Sequence, residues 1–355
     1  MPSESSELTA DWFTAILSQS DQSIHVDTVQ VEPIGVGSGM MSGLFRVHLD
    51  SPTPAAPGSV VVKLPTRNAQ NRAVAVAFDN YRREVAFYRR AAAHCSMRTP
   101  HAYWAECSAA DRFVLVLEDL SAWQQGDQIA GCELNRAEAV MDALGALHAS
   151  FWEQVDDGHT DWMPNNYPSV MSDGLANGTA AAWETFTTFF AAGLPHELRA
   201  AKEIYCAGLP RIQAWMNEHP RTIVHGDFRM DNLFFRDHAG HIEVACCDWQ
   251  APVRGKGIQD VAYFLSGSID VAMRRRHEAE LIQRWVDALT RQGVKGYTYA
   301  QAFEAYRYAI LMLWTYVVVI GGGLAAENQR GETWVSAMVG RAAAAMTDHR
   351  CLDLL

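Results

Sequence analysis

Asp227, Asn232 and Asp248 are the residues whose types and spacing could do chemistry. In the stretch IVHGDFRMDNLFF (223–235), His-Gly-Asp is followed after four residues by an asparagine, and Asp248 lies sixteen positions further on, opening the word DWQ. Strand-like segments hold all three: TIV before the first word, NLFF at its end, and HIEVACC just ahead of Asp248. Alone, each is equally a turn or cap residue. Together they suit phosphoryl transfer, which asks little covalent chemistry of a protein. It needs a carboxylate to orient and deprotonate a hydroxyl, and oxygen ligands to hold Mg²⁺ against phosphates. Asp227 is expected to be that carboxylate. Asn232 and Asp248 are one neutral and one charged oxygen donor of the kind Mg²⁺ prefers.

A nucleotide needs cationic and backbone contacts as well. Lys63 sits inside VVVKLP, a β-branched strand where a lysine is costly to bury unless it meets anions. Phosphates plus a helix carboxylate would meet that need, and both Glu84 and Asp79 in the following charged segment qualify. Between two strands and ahead of Lys63 runs IGVGSGMMSGLFRV (34–47). Its Gly35, Gly37 and Gly39 would let the backbone approach phosphates, and Ser38 or Ser42 would add a donor.

Taken together, HGDFRMDNLFF, DWQAPVRGKGIQDVAYFL (248–265) and LGALHASFW (144–152) resemble the aminoglycoside phosphotransferase and choline kinase group of small-molecule kinases. Within it, the chain looks most like the ecdysteroid-kinase-like branch, over nearly its whole length. The resemblance implies an α+β, protein-kinase-like bilobal fold, with a small antiparallel-sheet N-lobe carrying one helix and a larger, mainly helical C-lobe. It implies ATP and Mg²⁺ as cofactors, Glu84 as the partner of Lys63, and His225 as a brace of the catalytic loop. Asp260 likewise looks like a loop-bracing or capping carboxylate. LVLEDL (115–120) would be the hinge, with main-chain atoms of Glu118 and Leu120 reading adenine. Trp249 and Gln250 replace the Phe and Gly of a protein-kinase DFG word, which implies a loop held in one state.

The elements that must position these residues change character part-way along the chain. GLFRVHL, SVVVKLP and RFVLVLEDL read as strands, and AVAFDNYRREVAFYRRAAAHC between them reads as one helix with Val76, Tyr81, Val85 and Tyr88 on its apolar face. Near Ser121 the pattern turns helical. Leu134, Ala137, Met141, Leu144, Leu147 and Phe151 mark one face of a long helix, and helices fill the chain beyond Gly257. This places an N-terminal nucleotide-binding lobe at 1–120 and a catalytic and substrate-binding lobe at 121–355. An N-terminal helix capped by Thr9 or Ser6 shows Trp12, Phe13, Ile16 and Leu17.

Bulk properties narrow the partners. The chain has 355 residues, 49% hydrophobic, 20% charged, with a net charge of −12. No basic stripe points to nucleic acid. Seven scattered cysteines without a CxxC pair fit reduced thiols and a cytoplasmic location. The charge-free run at 309–326 is read as a buried core helix cut short by Gly321, Gly322 and Gly323, with no stable membrane insertion. The acceptor would be a small-molecule alcohol. Asp156, Asp157 and Asp161 would suit a polycation such as an aminoglycoside. Trp152, Trp162, Tyr167, Trp183, Phe186 and Phe190 tilt toward an apolar or sterol-like alcohol, with a choline-type cation as another option. A nucleotide-binding pseudokinase is the non-enzymatic alternative.

Overall fold

The computed structural model describes residues 1–35, 41–323 and 329–355. Its contacts divide the chain into two compact units. The first comprises Met1–Ala93, Thr99–Trp123 and Cys247–Ala251; the second comprises His94–Arg98, Gln124–Cys246 and Pro252–Leu355.

The first unit opens with α1 (Ala10–Leu17), whose N-cap Thr9 accepts from the Trp12 N–H and whose Phe13, Ile16 and Leu17 are buried. It continues with β1 (Thr28–Ile34), β2 (Ser42–Asp50), β3 (Ser59–Pro65), α2 (Ala69–Ala77), α3 (Asn80–Ala86), β4 (Ala102–Ala109) and β5 (Arg112–Glu118). The strands form one antiparallel sheet in the order β1-β2-β3-β5-β4. Central β3 and β5 carry the apolar runs, because both of their faces are covered. Lys63 stands opposite Leu44 on one side and Leu115 on the other.

The single helix expected across 75–95 is broken. Asp79 adopts φ 57°, a left-handed conformation that ends α2 and re-aims the chain into α3. The next turn, Phe87–Ala91, is π-helical. Two α-helices, α2 and α3, therefore stand where one was expected.

The second unit contains the short β6 (Gln124–Gln125), α4 (Leu134–Ser150), α5 (Val170–Phe189), α6 (His196–Arg199), α7 (Lys202–Met216), β7 (Thr222–Val224), β8 (Leu233–His238), β9 (His241–Cys246) and β10 (Val253–Gly255). Four further helices follow: α8 (Ile258–Gly267), α9 (Val271–Arg291), α10 (Tyr299–Gly323) and α11 (Gln329–Asp348). β8 pairs with β6 and β9, and β7 pairs with β10.

α10 is long and apolar enough to cross a membrane by length and composition, and 61% of its most apolar window is buried against the rest of the protein. Gly321–Gly323 do not shorten it; all three lie within the helix. The first two are small because α5 runs against them. A Cβ on Gly322 would sit 2.6 Å from the Ala182 carbonyl, and one on Gly321 would sit 2.8 Å from the Phe186 ring. Packing, rather than helix termination, uses Gly321 and Gly322.

Candidate active site

In the first unit, three of the expected residues meet. Lys63 Nζ donates to Glu84 Oε1 at 2.6 Å and to Asp248 Oδ1 at 2.6 Å. Lys63 and Glu84 are buried, and the Asp248 side chain keeps 23% exposure. Glu84 reaches the lysine because the kink at Asp79 swings α3 onto the sheet. Asp79 itself pairs with Arg82, so it is not the partner of Lys63.

Burial alone would depress the Lys63 ammonium. The carboxylates of Asp248 and Glu84 outweigh burial and hold it above its ordinary value. Glu84 experiences the opposite balance: burial pushes its carboxyl up, Lys63 pulls it down, and Asp248 pushes it up again, to about 7. Two carboxylates share one ammonium, so the upward direction follows. A folded-state value above the unfolded one means that the native protein binds the extra proton. Stability then falls as pH rises from about 4.5 through about 7. Glu84→Gln should remove that component. The melting temperature of the wild type should decline more steeply between pH 5 and pH 8 than that of Glu84→Gln, and parallel curves would refute the assignment.

Asp248 adopts φ 66°, a left-handed conformation that a non-glycine residue keeps only where its surroundings enforce it. Its neighbours supply the enforcement. Trp249 is fully buried and stacks on Phe87 of the π-helical turn at 3.8 Å between centroids, and Gln250 Nε2 donates to Asp248 Oδ2 at 3.3 Å.

In the second unit, Asp227 leaves β7 on a turn that needs glycine: Gly226 has φ 83°. Fully buried Asp260 at the start of α8 braces this turn, its Oδ2 accepting from His225 N at 2.7 Å and its Oδ1 from Gly226 N at 3.0 Å. His225 Nδ1 in turn accepts the Asp227 N–H. Asn232 Nδ2 donates to the Asp227 carbonyl at 2.9 Å and to its Oδ2 at 3.1 Å, which fixes the amide and turns its Oδ1 to the other side. Asn232 offers an amide oxygen and Asp248, in the first unit, a carboxylate; each by its chemistry is a hard oxygen donor of the kind Mg²⁺ accepts.

The matching family description is "ecdysteroid kinase-like family", covering residues 36–295. The chain belongs to the ecdysteroid kinase-like family. Solved structures share the fold at low identity. A choline kinase from Cryptosporidium parvum Iowa II matches with a TM-score of 0.57 and 12% identity, covering 97% of this chain and 98% of that one. A Plasmodium vivax ethanolamine kinase matches with a TM-score of 0.51 and 10% identity, over 87% and 81%. An aminoglycoside phosphotransferase in complex with GDP and kanamycin matches with a TM-score of 0.53 and 11% identity, over 95% and 99%. The fold is therefore α+β and kinase-like. A mouse protein, acyl-CoA dehydrogenase family member 10, is 38% identical over 72 residues, spanning 19% of this chain and only 7% of that relative.

Other expected positions of this ecdysteroid kinase-like chain divide differently. Gly35 ends β1 with φ 64°. Gly37, Ser38 and Gly39 lie outside the described residues. At the end of β5, the Glu118 N–H is bonded to the His101 carbonyl, which commits that donor, and the Leu120 carbonyl accepts from the Trp123 N–H with one of its two lone pairs. Asp119 ties β2 to β3, accepting from Arg46 Nε and Ser59 Oγ, each at 2.8 Å. Trp183 and Phe186 are core residues, 1% exposed each.

Three partners were not evident in the sequence. Tyr263 Oη donates to Asp227 Oδ1 at 3.0 Å; burial first, and then the Asp227 charge, hold this phenol well above its ordinary value, so it stays a donor. Its place one helical turn after Asp260 was the available signal. Arg229, inside the HGD word itself, reaches Asp227 as well. His148 Nε2 lies 3.3 Å from Asp260 Oδ2, and Trp285 Nε1 donates to His148 Nδ1 at 3.0 Å, which assigns the remaining ring proton to Nε2.

Proposed function

We propose that this protein is an ATP- and Mg²⁺-dependent kinase that transfers the γ-phosphate to a hydroxyl of a small molecule. The observation that carries this reading is Asp227 itself. It is a partly exposed carboxylate on a braced turn, aimed by Tyr263 and Asn232, in the same chain as a buried lysine paired with Glu84 and Asp248.

In this reading, Asp227 orients the acceptor hydroxyl and takes its proton. The acceptor oxygen forms its bond to the γ-phosphorus as the β,γ-bridging P–O bond breaks, and ADP departs with that electron pair. Lys63, held by Glu84, clamps the nucleotide phosphates. Asn232 and Asp248 would hold Mg²⁺, which when bound offsets charge on the phosphate oxygens. Family membership supports an alcohol acceptor, and the family's description makes a sterol-like alcohol the first class to try.

The test is a transfer assay with radiolabelled γ-phosphate ATP and Mg²⁺ against pooled sterols, hydroxy-acyl compounds, choline, aminoglycosides and macrolides. Label should move to a neutral alcohol in the wild type and not in Asp227→Asn. Thermal stabilisation by MgATP with no transfer and no hydrolysis would instead establish a non-catalytic nucleotide-binding protein.

A further inference from the structure

Resting on the kinase reading above, we infer that Arg229 makes the acceptor subsite select alcohols with no positive charge near the hydroxyl. A cationic acceptor needs carboxylates or an aromatic face beside the base. Both are already taken by a cation belonging to the protein. Arg229 Nε lies 3.3 Å from Asp227 Oδ2 and 3.2 Å from Oδ1, and its Nη1 lies 3.1 Å from Asp231 Oδ2. The guanidinium carbon sits 5.2 Å from the centre of the Trp334 ring. Asp231 is anchored in turn, its Oδ1 accepting from the Gln128 N–H at 2.9 Å.

A choline-like or aminoglycoside-like ammonium brought to Asp227 would therefore meet a fixed guanidinium of the same sign. Two of the three acids expected to suit a polycation, Asp156 and Asp157, are also committed. Asp156 pairs with Arg221 at 2.6 Å and with Arg254 at 2.9 Å, and Asp157 Oδ1 accepts from the His159 N–H and Thr160 Oγ1. Beyond Asp227, Tyr263 stands against Tyr316, whose hydroxyl meets Met171 Sδ. Repulsion of this kind sets specificity by penalising the wrong ligand.

Two alcohols of nearly identical shape test this. Choline and 3,3-dimethylbutan-1-ol differ in a quaternary nitrogen against a quaternary carbon. Each is titrated into the wild-type chain with MgATP, and its apparent affinity is read from the change it causes in ADP release. The wild type should favour the neutral isostere by about tenfold or more. Arg229→Gln, which removes the charge, should bring the ratio toward one, whereas Arg229→Lys, which keeps it, should preserve the preference. Equal response to the two isosteres in the wild type, including no response to either, overturns the inference, as does a ratio unchanged in Arg229→Gln. The failures read differently: ADP release that Asp227→Asn leaves unchanged overturns the kinase reading, and this inference with it.

Discussion

Asp227→Asn is expected to lower phosphate transfer by about 10²–10⁴-fold, the range over which a positioned general base acts. The substitution keeps the shape and, through its amide oxygen, the bond from Tyr263 Oη. It removes the basicity, the charge facing Arg229 and the acceptor that Oδ2 offers Asn232 Nδ2. MgATP affinity should stay within a few-fold of the wild type, because the proposed nucleotide contact, Lys63 held by Glu84, belongs to a different set of elements. Steady-state turnover and nucleotide titration of the two proteins separate these effects. Wild-type turnover in the variant would remove Asp227 from the mechanism, while loss of MgATP binding would recast it as a structural residue.

Asp260→Ala should be the most damaging substitution for the fold around that turn. Its carboxylate is fully buried and accepts two backbone N–H bonds, from His225 and Gly226, besides facing His148 Nε2. Truncation leaves those donors without an acceptor in a dry interior. Breaking a buried charged network from one side costs about 3–5 kcal/mol, a large part of the roughly 5–15 kcal/mol that keeps a typical protein folded. Asp260→Asn keeps one acceptor oxygen and should lose less. Urea denaturation midpoints should fall in the order wild type, Asn, Ala. An Ala variant as stable as the wild type would mean that water replaces the carboxylate and that the turn is not braced from α8.

Much of this was legible in the sequence, for identifiable reasons. Central strands β3 and β5 showed as apolar runs because both of their faces are buried, and the positions of Lys63 and Asp248 followed from such runs. Edge strand β4 (Ala102–Ala109) was missed: its residues are half-exposed, with Glu106 and Ser108 interrupting any apolar pattern. The break at Asp79 escaped periodicity because a single left-handed residue leaves the residue types on either side unchanged. Gly321–Gly323 misled because glycine signals helix ends in isolation, whereas here α5 determines the size of the first two, through the Phe186 ring and the Ala182 carbonyl. Tyr263 and His148 touch the site through tertiary contacts, which residue types alone do not encode, while Arg229 meets Asp227 from two positions away, where the path of the turn decides the contact.

A crystal structure with Mg²⁺ and a non-hydrolysable ATP analogue tests the central claim most directly. The account predicts one nucleotide whose phosphates contact Lys63, one metal ion ligated by both Asn232 and Asp248, and Asp227 facing the γ-phosphate. A bound analogue whose metal ion contacts neither Asn232 nor Asp248, or whose γ-phosphate lies out of reach of Asp227, would contradict it.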